Sequence, residues 1–598
     1  MNYVGINAGH GASVALMVKG EIKIVFQEER FTKIKNYFGY PKHSIKNCLK
    51  YIIKNNLKIN TAAFVNLKPN VNAYKYPIGN YFDVKDYQGF YGDEFYSKLL
   101  KNLSVKNYLK NLSINSKNKK NISLPIKKLN LINDRNFDDL NNLFKSELLK
   151  QSGNIIKNVI FLDHHTCHAH YAYFSLDRKV IKKNKIAVVT LDSQGDGINQ
   201  TLWLPSKNKN EIININRSAT CDVARIYKLV TLILSMKPNE HEYKVMGMAP
   251  YSKKKYSEII YKKVFKNILK VQNCKIIHKN RPKNLYDYLK KNLAEYRFDN
   301  ISGAVQIFVE RITTDLLKQI NKKYKVNCFT ISGGVSMNIK MNKVLSEQKF
   351  IKKFFVPPTG TDESLSIGAC YYLSKFSSNE LKNIYLGRRL AKNETQLIKK
   401  INSFFRNNKK FLIKKNVSKK IVARLIKKGE IIAIAQGREE FGARALGNRS
   451  IIANPSIEGV VKNINEMIKN RDFWMPFALS IHYDKHKKYL KNSKNILSEY
   501  MTIGFETKEK HLKLIKAGTH PYDSTVRPQM IIQEKNKNYY SLINEFFKIT
   551  GIPSLLNTSL NLHGDPISSD INDVVKTFKY SGLKYLFLEN KFLIVKKK

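Results

Sequence analysis

Cysteine pairs are missing from this chain. Its six cysteines (Cys48, Cys167, Cys221, Cys274, Cys328, Cys370) stand far apart with no CxxC among them, so neither a zinc ribbon nor a disulfide framework is indicated and reduced, buried thiols are expected. Also missing is any run of eighteen apolar residues, so no membrane-spanning helix and no membrane partner are expected. The opening MNYVGINAGHGAS has no basic flank and apolar core of the secretory kind, and a cytoplasmic location is the expectation. Acidic residues are few: 47 Asp and Glu against 105 Lys and Arg give a formal net charge of +58. That excess does not read as a nucleic-acid surface. It is mainly lysine spread along the whole length beside Asn and Ile, whereas phosphate and base recognition favours arginine clustered on one face. No dedicated nucleic-acid partner is expected.

What is present can build sizeable cores, with 43% apolar and 11% aromatic residues in 598. At about 100–200 residues per domain, two to four domains are expected. Of only 13 histidines, four fall within residues 163–170, DHHTCHAH. His164 and His168 stand four apart, so on a helix both leave one face within reach of a divalent cation, while His165 and His170 point elsewhere. The spacing resembles HExxH, but His165 replaces the glutamate, so the general base of that chemistry is missing. Further ligands must come from other segments.

Residues 4–8 and 14–18 read as strands joined by the small-residue turn Gly9-His10-Gly11-Ala12-Ser13, with a third strand at 22–25. A titratable histidine at such a turn, His10, is a candidate for chemistry. Glu28, Glu29, Arg30 and Lys35 follow near a helix start and read as a solvated face. Residues 74–156, tyrosine-rich and then rich in Lys, Asn and Leu, read as a peripheral helical insertion. Its aromatics (Tyr74, Tyr76, Tyr81, Phe82, Tyr87, Phe90, Tyr91) are expected to pack beneath it more than to line a cleft. The apolar run 186–191 reads as a buried strand ending in DSQGDG, and carboxylates just past such strands are placed for metal or nucleotide sites. Asp192 or Asp196 is therefore a third ligand, and Asp362, before a helix of small residues, is a fourth. Such an N/O set suits Fe(II), Mn(II) or Zn(II). The strand at 327–331 runs into SGGVSMN, where Gly333 and Gly334 would let backbone N–H groups approach a nucleotide. The pattern of apolar strand followed by a loop with glycine and a carboxylate or amide repeats, which suggests two related α/β halves.

In the last third, strand 431–435 enters QGREEFGARALGNRS. Arg438, Arg444 and Arg449 there read as convergent guanidinium groups for an oxyanion, joined by Lys469, Arg471 and Arg527. Asn557, Thr558, Ser559 and Asn561 offer neutral donors and acceptors.

Taken in order, GHGAS with EERFTKIK, HHTCHA, DSQGDG, KVMGMAPY, SGGVSMNIKMN and TGTDESLSIGA resemble the O-carbamoyltransferase family of nodulation-protein-U and antibiotic-biosynthesis type. The resemblance implies an α/β architecture: an actin-like ATPase domain of ribonuclease H-like repeats over residues 1–375, carrying the 74–156 insertion, and a YrdC-like α/β domain over 376–598. It implies Fe(II) on His164, His168, Asp192 and Asp362, with His10 serving carbamoyl transfer. It further implies ATP or adenylate at Lys35, Gly333, Gly334 and Asn338, with Mg accompanying ATP. Carbamoyl phosphate falls to Arg444, Lys469, Arg471, Arg527 and Asn557. Met475 and His563 stand where the family carries arginine, which implies a weaker or a differently built anion pocket. The activity implied is ATP-dependent O-carbamoyl transfer, through carbamoyl adenylate, to a hydroxyl of a small molecule or glycan. A tRNA threonylcarbamoyl transferase-like enzyme and a noncatalytic actin-like nucleotide-binding module are the alternatives.

Overall fold

The apolar runs fold as buried strands, and the loops that follow them carry the polar residues. The computed structural model describes residues 1–75, 83–91, 124, 126–133, 136–153, 155–375, 378–406 and 408–597. The chain divides into two compact units, Met1–Leu381 and Lys382–Lys598. Both are α/β with mixed sheets.

The first unit contains one strand plan twice. β1 (Asn2–Asn7), β2 (Ser13–Val18) and β3 (Glu21–Gln27) form an antiparallel meander, and β4 (Thr61–Val65) and β5 (Val159–Leu162) add in parallel on the other side of β1, for the order β3-β2-β1-β4-β5. β6 (Ile186–Gly195), β7 (Ile198–Pro205) and β8 (Ile212–Ser218) form a second meander. After the hairpin β9 (Leu269–Gln272) and β10 (Lys275–His278), β11 (Cys328–Ser332) and β12 (Lys353–Phe355) add in parallel beside β6, for the order β12-β11-β6-β7-β8. Helices His164–Phe174 and Leu365–Ser374 pack on each other, the first also against β6 and the second against β1. The carboxyl ends of the parallel strands therefore face a shared interior, where open α/β sheets place their sites.

In the second unit, β13 (Phe411–Lys414), β14 (Ile432–Ala435), β15 (Arg449–Ala453), β16 (Ala478–His482), β20 (Pro528–Ile531), β21 (Ser554–Ser559), β22 (Tyr585–Leu588) and β23 (Phe592–Lys596) form one sheet, ordered β13-β23-β22-β14-β15-β21-β16-β20. A smaller sheet joins β17 (Leu490–Lys491), β18 (Phe505–Thr507) and β19 (Thr525–Val526). Side-chain alternation with period two divides the core between the large sheet's faces. Ala433, Ala435, Ile451 and Leu556 join one apolar cluster, and Ile432, Ile434, Ile452 and Leu555 the other.

Two expectations change here. Glu28 is no solvated group: it is buried, and its carboxylate accepts the backbone N–H groups of His43 (2.9 Å) and Ser44 (2.8 Å) and the Ser44 hydroxyl (2.7 Å), anchoring the next helix. Arg30 is likewise buried. Of the aromatic run, Tyr74 and Tyr87 are buried, with Tyr74 against Phe38 and Phe144 at 4.8 and 5.3 Å between ring centroids. Tyr76, Tyr81 and Phe82, with most of the insertion, lie outside the described residues. All six cysteines are free and buried. Among the described residues, no helix is long and apolar enough to cross a membrane.

Candidate active site

Helix His164–Phe174 begins where Asp163 caps it, the Asp163 carboxylate accepting the Thr166 N–H at 2.7 Å. With the start fixed, His164 and His168 lie one turn apart on one face, ring centroids 4.8 Å from each other. Asp192 enters from β6, whose pairing with β7 shifts register between Leu191 and Gly195. Asp362 enters from the short turn before helix Leu365–Ser374. One ligand atom from each of His164, His168, Asp192 and Asp362 lies within 4.8 Å of all the others. His168 Nε2 is 3.3 Å from Asp192 Oδ2 and 3.4 Å from Asp362 Oδ1, and His164 Nε2 is 3.6 Å from the same Asp362 oxygen.

The far side of each imidazole is occupied, which orients both rings. His164 Nδ1–H donates to Asn66 Oδ1 at 2.9 Å, and His168 Nδ1 lies 3.2 Å from Ser332 Oγ. Both Nε2 atoms are buried without a hydrogen-bond partner. Two orphaned imidazole nitrogens facing two carboxylates, each oriented from behind, fit a divalent cation. Without the cation the charges satisfy one another. Burial alone would lower the pKa of His168, but Asp192 and Asp362 raise it to about 9. Burial would raise that of Asp362, yet His164, His10 and His168 hold it well below the usual carboxylate range.

Asp196, the other third-ligand candidate, is used elsewhere. Its carboxylate accepts the backbone N–H groups of His164 (2.8 Å) and Lys68 (2.7 Å), tying the helix start to the loop after β4. His165 and His170 turn away, as the helix phase requires. His165 Nε2–H donates to the Ile198 carbonyl at 3.0 Å and Nδ1 meets Thr190 Oγ1 at 2.6 Å. Burial, then His164 and His168, lower the His165 pKa to about 3. Buried and bonded at both nitrogens, His165 is a core histidine whose loss would cost stability.

His10 reaches the same group from the β1–β2 turn, its Nδ1 3.6 Å from Asp362 Oδ2 and its Nε2 buried without a partner. Burial lowers its pKa, but Asp362, Glu363 and Asp192 outweigh that and raise it. Asn7 Nδ2 donates to the carbonyls of both His10 (2.7 Å) and Asp362 (2.9 Å), locking the turn to the ligand loop. Neither Asn7 nor Asn66 was singled out from the sequence. The available signal was an amide at the end of an apolar strand, the position Asp192 also occupies.

The glycine loop after β11 corrects an expectation. Gly334 N–H donates to Asp192 Oδ2 at 2.9 Å and Gly333 N–H to the Gly360 carbonyl at 2.7 Å, so neither is left for a nucleotide. Gly333 has φ +94, and a Cβ there would lie 2.2 Å from the Leu191 carbonyl oxygen. The pair holds Asp192 instead. Asn338 caps helix Ile339–Glu347 through the Met341 N–H (2.9 Å) and exchanges hydrogen bonds with Gln306 at 2.9 and 3.1 Å. Its amide serves the helix start. Lys35 is half-buried, near enough to His241 for its charge to be felt there.

Gly195 is a second backbone requirement: a Cβ would fall 2.2 Å from His164 Cδ2. Gly195→Ala is expected to push His164 off Asp362 and weaken metal binding by about 10–100-fold, the range for a disturbed outer shell. Anaerobic metal titration followed by elemental analysis reads this directly.

In the second unit the arginines sort differently from the linear motif. Arg449 lies on β15, fully buried, donating to the carbonyls of Ser569 (2.7 Å), Gln436 (2.7 Å), Asn448 (2.8 Å) and Gly437 (3.2 Å). Arg438 donates to the carbonyls of Gly387 and Leu386. Both are structural, because each guanidinium is spent on backbone. Arg444, Arg471 and Arg527 come near one another: burial, then the charges of Arg444 and Arg471, hold the Arg527 pKa well below the arginine range. Arg471 also stacks over Phe477 at 5.0 Å. Lys469 is buried at the end of a π-helical turn, its Nζ donating to Asn561 Oδ1 (2.8 Å) and Ser559 Oγ (3.2 Å). Asn557 is buried in β21, donating to the Ala445 carbonyl (3.2 Å) and Ser480 Oγ (2.9 Å), so it supports the Arg444 loop. His563 donates to the Lys469 carbonyl and reaches the same corner by an imidazole.

A buried two-histidine, two-carboxylate group thus lies at the strand ends of a duplicated α/β unit, and a second unit with clustered arginines follows it in sequence. Family models match both parts: carbamoyltransferase N-terminus over residues 2–371 and carbamoyltransferase C-terminus over 423–596. The chain belongs to the carbamoyltransferase family and is a carbamoyltransferase. It is 27% identical to an uncharacterized protein of Methanocaldococcus jannaschii over all of both chains. It is 26% identical to nodulation protein NolNO of Sinorhizobium fredii, over 98% of this chain and 79% of that one. Nodulation protein U of Sinorhizobium fredii is 27% identical over 44% of this chain and 46% of its own. Similarity to solved structures is distant. Full-length HypF is 11% identical with TM-score 0.34, over 62% of this chain and 55% of that chain. The activator of 2-hydroxyisocaproyl-CoA dehydratase from Clostridium difficile is 11% identical with TM-score 0.31, over 63% of this chain and 94% of that chain.

Proposed function

We propose that this carbamoyltransferase forms carbamoyl adenylate from carbamoyl phosphate and ATP and passes the carbamoyl group to a hydroxyl of a small molecule or glycan. The first unit is read as actin-like and the second as YrdC-like. In the second unit, Arg444, Arg471 and Arg527, with Lys469, hold carbamoyl phosphate, which loses phosphate to water. The resulting carbamate oxygen attacks the ATP α-phosphorus and pyrophosphate leaves. Clustered guanidinium groups offset the charge that develops on those leaving oxygens.

In the first unit the acceptor hydroxyl attacks the carbamoyl carbon and AMP leaves. A divalent cation on His164, His168, Asp192 and Asp362, iron(II) by the family resemblance, would supply Lewis acidity there and take up the carboxylate charge that raises the pKa of His10. His10 accepts the hydroxyl proton at Nε2 while Asp362 faces Nδ1. Asn7 keeps that turn against the ligand loop. The observation that carries the reading is the buried, unpartnered Nε2 of His10, 3.6 Å through Nδ1 from a carboxylate of the ligand group, in a chain of this family.

His10→Asn is expected to lower carbamoyl transfer by at least about 100-fold and to leave pyrophosphate release intact. The acceptor comes from mass spectrometry of metabolites and glycans in strains with and without the gene. Transfer and pyrophosphate are then assayed separately; surviving transfer rejects His10 as the base. ATP binding without pyrophosphate release in the unmutated protein rejects the adenylate route.

A further inference from the structure

Three guanidinium groups do not gather unless something holds them together against repulsion. Arg444 stands in the loop between β14 and β15, and the backbone that follows it shows what fixes that loop. Glu440 is buried, and a single carboxylate oxygen, Oε1, accepts the N–H groups of Leu446 (2.6 Å), Asn448 (2.8 Å) and Arg449 (3.2 Å). Charge-assisted bonds of this kind are roughly twice as strong as neutral ones. The carbonyls of the stretch are gripped from the sheet and from Tyr385. That of Ala445 accepts Asn557 Nδ2 (3.2 Å), and that of Leu446 accepts Gln529 Nε2 (2.9 Å) and the Tyr385 hydroxyl (2.8 Å). Gln529 stands two residues past Arg527 and Leu446 two past Arg444, so their bond ties the two arginine segments. Ser480 Oγ joins Gln529 (2.8 Å) to Asn557 (2.9 Å) across three neighbouring strands.

We propose that Glu440 is a positioning residue of the donor pocket: by collecting the backbone of residues 446–449 on one oxygen it sets where Arg444 stands relative to Arg527. It touches no substrate. The inference rests on the reading of Arg444, Arg471 and Arg527 as the carbamoyl phosphate site. Glu440→Gln keeps one carbonyl oxygen but loses the charge that lets one atom accept three donors. Glu440→Asp keeps the charge and withdraws it by one methylene.

The test uses the full-length protein. Inorganic phosphate and carbamoyl phosphate binding are read by calorimetry, and pyrophosphate release gives KM for carbamoyl phosphate and for ATP separately. Glu440→Gln is expected to raise Kd for phosphate and KM for carbamoyl phosphate by about 10–100-fold, as a displacement near 1 Å does. KM for ATP and the metal content of the first unit should stay unchanged. A scaffold role would raise both KM values together, and that result overturns the inference. If Arg444→Ala loses phosphate binding while folded Glu440→Gln binds as the unmutated protein does, the inference falls and the arginine pocket stands. If Arg444→Ala binds phosphate normally, the pocket reading fails and the inference with it. Should Glu440→Gln not fold, Glu440→Asp carries the same comparison, and unmutated-like binding by it overturns the proposal.

Discussion

His168→Ala should yield a folded protein that no longer retains its divalent ion and has lost carbamoyl transfer by more than about 100-fold, beyond the effect of disturbing an outer-shell partner. His168 Nε2 lies 3.3 and 3.4 Å from the two carboxylates, whereas His164 Nε2 makes its shortest approach, 3.6 Å, to Asp362. Pyrophosphate release should persist, because it is assigned to the other unit. The titration of His168 adds a pH signature. In the metal-free protein Asp192 and Asp362 raise its pKa to about 9. Loading must then displace a proton at neutral pH, so apparent affinity should rise with pH and level off above about 9. A group whose folded pKa is raised above its ordinary ~6.5 adds stability that is full below that value and fades as pH climbs through the folded one. Thermal scans of metal-free protein should therefore fall between pH 7 and pH 9 and those of loaded protein should not, and His168→Ala should remove the slope. A flat profile in the metal-free protein would place the proton elsewhere.

The second large effect is expected at Arg527. Arg527→Met should raise KM for carbamoyl phosphate by about 10–100-fold, the loss of charge-assisted hydrogen bonds of about 1.5–3 kcal/mol. The same change should raise the melting temperature, because burial and the charges of Arg444 and Arg471 disfavour its guanidinium. A binding site that holds like charges together trades stability for function. Arg527→Lys should recover little binding, since an ammonium restores charge without the planar fork. Calorimetric melting beside donor kinetics separates the two effects; a melting temperature that falls would show that Arg527 is held by partners rather than strained by neighbours.

Legibility in the sequence followed local spacing, and it failed where distant segments decide. His164 and His168 were readable because a four-residue interval has one meaning on a helix. Asp192 and Asp196 were not separable, since both follow the same strand; the register shift before Gly195 turns one into the ligand group and leaves the other to accept the His164 N–H. The glycine pair was legible as a special backbone and misread in purpose, because which atom an N–H meets depends on a strand 142 residues away. Among the arginines, neighbours in sequence went to different ends: Arg449 sits on a strand facing inward, while Arg471 and Arg527 arrive from distant segments. The duplicated strand plan showed only faintly, as recurring loops after apolar runs. Strand order is set by pairings between residues far apart, and no local pattern reports it.

The irregularity in β6 has one more consequence. Pairing with β7 is regular up to Leu191 and resumes at Gly195, with Asp192 just past the last regular pair. Alternate side chains of a strand face opposite ways, so shortening or lengthening the stretch between Asp192 and Gly195 by one residue would move Gly195 and Asp196 out of their places against His164. Ser193 is half-buried and Gln194 exposed, and exchanges at those two positions would be absorbed by solvent. What this stretch contributes to the site is its length: two residues between Asp192 and Gly195 bring both the carboxylate and the bare backbone to His164.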